Sequence, residues 1–248
     1  MSLMKKNVDA FGQEILAYFK GKESYEIVER NDGLVSLSEA PKSYFGKYRV
    51  WPKWQKKAIK FAKGRVLDIG CGAGRVGLYL QQKNFDVTSI DISPLAIQIC
   101  KKRRLKKAFI RSIEEVYKFK DNSFETIIMF GNNFGLFGNF NSARKLLKEF
   151  NRITSNNALI IAETMDPYKT DDNTHLKYQR LNRKVGRMPG QIKIRVRFKN
   201  YIGNWFDYLL VSKNELNHIL RNTGWIIKKI ISSGDSFYIA IIGKSNKL

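Results

Sequence analysis

The sequence predicts a doubly wound α/β fold that takes a nucleoside-bearing ligand. Three observations point to it. An apolar run, Val66–Ile69, feeds the glycine cluster Gly70-Cys71-Gly72-Ala73-Gly74-Arg75, and a helical pattern follows at Val76, Leu78, Tyr79 and Leu80. A second apolar run ends in Asp91, about 20 residues beyond the glycines. Short apolar runs and helical patterns then alternate along the chain, as strand–helix–strand units do.

The glycine cluster is where a ligand's polar end belongs. Without Cβ atoms the backbone approaches a bound molecule closely, and the new helix N-terminus offers unpaired N–H groups and partial positive charge. A dinucleotide would place its pyrophosphate there, and S-adenosylmethionine its amino-acid end. Gly72-Ala73-Gly74-Arg75-Val76-Gly77 satisfies G-x-G-x-x-G, which does not separate the two. Asp68 does. A carboxylate two residues before the first glycine repels a pyrophosphate and attracts an ammonium group. Asp91, at the end of the next strand, has the spacing of a carboxylate that accepts both ribose hydroxyls. Ser93 and Pro94 suit the N-cap and first position of the helix after it.

Residues 66–80 together with 87–100 resemble the first two motifs of the class I S-adenosylmethionine-dependent methyltransferases, and a looser likeness runs from about residue 50 to the C-terminus. The resemblance implies a Rossmann-like, mainly parallel sheet of seven strands with an antiparallel last strand. It also implies S-adenosyl-L-methionine as methyl donor, with S-adenosyl-L-homocysteine as product, and it leaves the acceptor open. By the family pattern the cofactor would meet Asp68, Gly70, Cys71, Gly72, Gly74 and Arg75 at the turn, and Asp91 and Ile92 at the ribose.

The remaining elements follow in order. Val8, Phe11, Ile15, Leu16 and Phe19 share one helical face, which predicts a helix over residues 7–20. Residues 25–30 read as extended and end at the turn Asn31-Asp32-Gly33; a helix over 51–63 closes at Gly64. Residues 1–50 are therefore expected to form an N-terminal helical and extended lid, and 51–248 the methyltransferase domain. Family lids cover the cofactor and line the acceptor pocket, so Tyr44, Phe45, Tyr48 and Trp51 either line that pocket or pack the lid down.

Ala108–Ile110 is the third strand. Where the family often carries an Asp for the adenine amino group, this chain has Ser112, followed by Ile113 and Glu114. A buried fourth strand over 126–130 leads to Gly131-Asn132-Asn133, where the family pattern faces the sulfonium and the acceptor. After a helix over 142–153 and a fifth strand over 158–162, Glu163 and Asp166 leave a carboxyl end of the sheet, where ligands bind. An insertion over about 167–211 contains the alternating run Ile192-Lys193-Ile194-Arg195-Val196-Arg197-Phe198-Lys199, with a hairpin partner over 205–211 turning at Gly203-Asn204. Ser212 and Glu215 form a capping box, and strands over 225–231 and 237–242 complete the sheet.

The net charge is +23, from 45 basic and 22 acidic residues among 248. It favours an anionic partner. The basic run 101–107 ends a helix and is expected far from the chemistry, whereas the run 177–199 follows the fifth strand. An anionic small-molecule acceptor meeting Tyr44, Tyr48, Asn133, Glu163 and Arg195 is the reading that results. Nucleic acid is a second partner class, either as the acceptor or as the ligand of a basic protein without turnover. No apolar run approaches a membrane span and no signal-peptide pattern opens the chain, so a cytoplasmic protein without a membrane partner is expected. Cys71 and Cys100, the only cysteines, sit in a turn and a helix, and no structural disulfide is expected. No metal-ligand spacing is visible, and neither His175 nor His218 is placed as a catalytic base.

Overall fold

The computed structural model describes residues 8–245; residues 1–7, the start of the expected lid, lie outside the described residues. Helix α1 (Ala10–Phe19) is N-capped by Asp9, whose Oδ1 accepts the Gly12 N–H at 2.8 Å. Strands β1 (Glu26–Arg30) and β2 (Val35–Ser38) pair antiparallel across the turn at Asn31-Asp32-Gly33. Helix α2 (Ala40–Phe45) follows. Helix α3 (Lys53–Ala58) is shorter than the sequence suggests, because it tightens into a 3-10 turn over Ile59–Phe61.

Strand β3 (Val66–Ile69), helix α4 (Arg75–Gln82), strand β4 (Val87–Asp91), helix α5 (Pro94–Lys102) and strand β5 (Ala108–Ile110) then alternate as predicted. So do strand β6 (Phe124–Met129), helix α6 (Phe140–Ile153) and strand β7 (Thr154–Met165). Helix α6 buries Ala143, Leu146, Leu147, Phe150 and Ile153, the spacing of a single helical face. Helix α8 (Lys213–Leu220) opens with the Ser212–Glu215 capping box, and strands β11 (Trp225–Ser232) and β12 (Phe237–Lys244) end the fold.

The insertion departs from the sequence reading. It begins with a helix the apolar pattern does not announce, α7 (Asn173–Lys184), N-capped by Asp172. Strand β8 (Gln191–Phe198) turns back at Lys199-Asn200, not at Gly203-Asn204, to pair with the short β9 (Tyr201–Ile202). Lys199 takes the left-handed turn position at φ +52°. Strand β10 (Phe206–Leu209) falls within the expected hairpin partner.

The main sheet has seven strands in the order β11-β12-β7-β6-β3-β4-β5, and a second sheet runs β10-β8-β1-β2 with β9 on β8. In the main sheet β3–β4, β4–β5 and β6–β7 are parallel, while β12, the last strand, is antiparallel to both its neighbours. This is the Rossmann-like order the motifs predict.

Two compact units share the chain, one of residues through 51, 65–115 and 193–206, the other of 52–64, 116–192 and 207–248. In the first, Ile15 of α1 packs with Ala73, Ala96 and Ile99. Asp9 Oδ2 there accepts Ser93 Oγ at 2.7 Å and the Leu95 N–H at 3.3 Å, which fastens α1 to the start of α5. In the second, the Trp225 indole donates to the Leu147 carbonyl and the Tyr238 hydroxyl to that of Val211.

Candidate functional site

In the first unit the turn after β3 is built by three glycines in the left-handed region, Gly70 at φ +69°, Gly72 at +52° and Gly74 at +81°. A side chain at any of them is strained. Gly74 also N-caps α4, and a Cβ there would come within 3.0 Å of Cys100 Sγ. Asp91 closes the turn from β4. Its Oδ2 accepts the Gly72 N–H and its Oδ1 the Ser93 N–H, each at 2.9 Å. Both oxygens keep a lone pair for another donor. Burial pushes the Asp91 carboxyl up to about 6, against the lowering effect of those two N–H groups.

Asp68 stands inside β3, the third of its four residues, and is 2% exposed. Ser89 Oγ donates to it at 3.3 Å. Burial raises it to about 7, with Ser89, the Arg75 charge and the Gly77 backbone pulling the other way. Asp68 thus links β3, β4 and the start of α4 from within. Cys71 and Cys100 are free thiols with sulfurs 3.9 Å apart. Arg75 lies over the Trp51 ring at 4.7 Å. Ile92 is half-buried.

The other residues predicted for this side are partly spoken for. Ser112 Oγ accepts the Glu114 N–H at 3.2 Å and its own N–H goes to Glu115, so Ser112 caps the 3-10 turn Ile113–Lys118. Ile113 is half-buried and Glu114 exposed. The Tyr44 ring stands edge-on to Phe11 and borders Gly72, while its hydroxyl donates to Glu26 at 2.8 Å. Tyr48 stacks on Tyr79 of α4, with centroids 4.5 Å apart. Arg195 sends two N–H groups to Glu29 at 2.8 and 3.1 Å and covers the Trp205 ring. Arg103, from the run expected far from the chemistry, donates to the Ala73 carbonyl of the glycine turn. The end of α5 folds back on the turn through this long side chain.

In the second unit Glu163 is the centre. Only 2% exposed, it accepts Trp54 Nε1 at 2.7 Å, Gln55 Nε2 at 2.7 Å and the Gly131 N–H at 2.6 Å. Asn132 follows in the left-handed region at φ +64°; its carbonyl accepts the Tyr208 hydroxyl at 2.6 Å, and its Oδ1 is buried with no donor in reach. Asn133 begins the 3-10 turn Asn133–Phe137. His218 stacks on Phe140, a packing role. Sequence reasoning missed Trp54, Gln55 and Tyr208, which only the fold brings to this loop.

Residues 66–157 match the methyltransferase-domain family. A demethylmenaquinone methyltransferase of Renibacterium salmoninarum is 31% identical over 131 residues, 50% of this chain and 54% of that protein. A 23S rRNA (uracil(747)-C(5))-methyltransferase of Pyrococcus abyssi is 32% identical over 140 residues, 54% of this chain and 30% of that protein. The chain thus spans about half, or less, of these relatives' length. A Bacteroides fragilis S-adenosylmethionine-dependent methyltransferase, solved with S-adenosyl-L-homocysteine, superposes with a TM-score of 0.84 at 24% identity, covering 99% of this chain and 98% of that one. Residues 66–157 thus match the methyltransferase-domain family, and the glycine turn and the order of the seven strands agree with the fold of that solved methyltransferase.

Proposed function

We propose that this chain transfers the methyl group of S-adenosylmethionine to a small-molecule acceptor that carries negative charge. The observation behind the cofactor half is Asp91, fixed by Gly72 and Ser93 beside three left-handed glycines. The site suits the ligand, because both Asp91 oxygens can still accept ribose hydroxyls and the three left-handed glycines add no Cβ to the turn. S-adenosylmethionine supplies an electrophilic methyl carbon on a sulfonium, and S-adenosylhomocysteine remains after transfer. The chain's own work is alignment and exclusion of water. Asp91 would fix the ribose, and the glycine turn the amino-acid end.

The anionic acceptor is supported by Lys193, Arg195 and Arg197 on one face of β8, where Glu29 is the carboxylate bonded to both arginines. A second reading, RNA as acceptor, is supported by the net charge of +23 and by the rRNA-modifying relative. One experiment tests both: transfer of methyl label from S-adenosylmethionine into a cell extract, split into RNA, protein and small-molecule fractions. Label in small acidic metabolites is the expected result. Nuclease-sensitive label would select RNA, and no label in any fraction would overturn the transferase reading.

A further inference from the structure

Helix α7 has two unlike faces. Tyr178, Gln179 and Asn182 are buried, with Gln179 Nε2 donating to the Pro167 carbonyl at 2.6 Å and Asn182 Nδ2 to that of Gln191 at 2.7 Å. The opposite face carries Lys177, Arg180, Leu181 and Lys184, and Val185 continues it at the helix end. These positions follow the i, i+3, i+4, i+7, i+8 spacing of a single stripe. Leu181 is 50% and Val185 70% exposed. Among the described residues, Lys177, Arg180 and Lys184 have no acidic partner. At the rim, Arg183 covers the ring of Tyr168, which is 42% exposed and donates its hydroxyl to Glu215.

We infer that this face docks on the surface of an anionic lipid bilayer. The cations match the charge of acidic headgroups, as interfacial basic helices do. Phosphate alone would satisfy the cations but gives Leu181 and Val185 nothing. Nucleic acid would likewise meet the cations, and the Arg180 and Tyr168 planes, but leaves Leu181 and Val185 without apolar contact. The boundary between headgroups and acyl chains takes both kinds of side chain, with lysine and arginine stems lying along it and their charged ends in water. Among the described residues no helix is long and apolar enough to cross a membrane. Lying on a surface requires none.

The test is co-sedimentation of the full chain with phosphatidylcholine vesicles, with and without about one third phosphatidylglycerol. It needs no turnover, so it succeeds or fails independently of the proposed methyl transfer. The chain should bind the anionic vesicles and not the neutral ones, less tightly as salt rises. Leu181→Ser with Val185→Ser should weaken vesicle binding about tenfold and leave binding to polyuridylate unchanged. Lys177→Ser with Arg180→Ser and Lys184→Ser should weaken it further. All five side chains are exposed, so an unchanged melting temperature certifies each variant. Failure of the wild-type chain to bind anionic vesicles would overturn the inference. So would full vesicle affinity in the Leu181/Val185 variant, which would leave only a charge effect.

Discussion

Glu163 Oε2 accepts the Gly131 N–H at 2.6 Å, and that bond ties the loop after β6 to the neighbouring strand β7. The same oxygen takes Gln55 Nε2, and Oε1 takes Trp54 Nε1. Three donors therefore meet one buried side chain, and the left-handed Asn132 stands directly after the anchored glycine. The sequence offers Glu163 as a group facing the acceptor. Its oxygens also hold the loop that carries Asn132 and Asn133, so we propose a positioning role for it as well.

Glu163→Gln tests this role. Whichever way the amide is turned, its NH2 faces at least one N–H that the carboxylate oxygen had accepted. The loss should be about 1–3 kcal/mol of stability, the cost of an unsatisfied buried donor. Cofactor affinity, which we attribute to Asp91 and the glycine turn, should change less than turnover, which falls. Denaturant unfolding, calorimetry with S-adenosylhomocysteine and a single-turnover assay separate these quantities. A wild-type unfolding midpoint would show that the carboxylate does not anchor the loop.

Asp91 gives a pH dependence. To accept two ribose hydroxyls its carboxyl group must be ionised, and burial has raised it to about 6. Protonation below that value removes acceptor capacity, so cofactor affinity should fall by about tenfold between pH 7.5 and pH 5. The free protein responds with the opposite sign. A raised carboxyl contributes stability that is complete below its unfolded value of 3.8 and is lost as pH climbs through about 6. Asp91→Ala should cost at least about tenfold in affinity at pH 7.5. Calorimetry at the two pH values checks both, and wild-type affinity in the variant would remove Asp91 from the site.

What the sequence disclosed and what it hid differ in range. The glycine turn, the Ser93 cap and the Ser212–Glu215 box are contacts among residues a few positions apart, so their chemistry is spelled out in order. Asp91 was legible because a strand–turn–helix unit fixes its distance from the glycines. Helix α7 was not, because its buried face is Tyr178, Gln179 and Asn182, whose amides are satisfied by distant carbonyls and leave no apolar period. The partners of Glu163 lie more than a hundred residues away at Trp54 and Gln55, and no local pattern points to them. Arg103 reached the glycine turn through the length of its side chain, against its place at the far end of α5.

The cationic face of β8 can be separated from its structural duty. Arg195 is held by Glu29 at 2.8 Å, so replacing it disturbs the lid strand as well as any ligand. Lys193→Ser with Arg197→Ser keeps that pair, gives up only the longer Arg197–Glu29 contact at 3.3 Å, and removes two charges. With the labelled acceptor in hand, this double variant should raise acceptor KM about tenfold at unchanged cofactor affinity. An unchanged KM would remove this face from acceptor binding.

Glu14 carries the last expectation. It is fully buried in α1, neither oxygen meets a donor, and it faces Glu26, whose own Oε1 takes the Tyr44 hydroxyl. Burial first, and the Glu26 charge second, push it from 4.5 up to about 10. Its contribution to stability is therefore complete below pH 4.5 and drains away as pH rises toward 10. Asp68 and Asp91 drain in the same sense but are finished near pH 7 and 6. Above pH 7.5 the slope belongs to Glu14 among these three, and it should approach about 1.4 kcal/mol per pH unit. Glu14→Gln keeps a donor for Glu26 and does not ionise. Its melting temperature should lie above that of the wild type at pH 9 and change less between pH 7.5 and pH 9. Parallel melting curves over that range would mean that Glu14 reaches water and does not carry the shift.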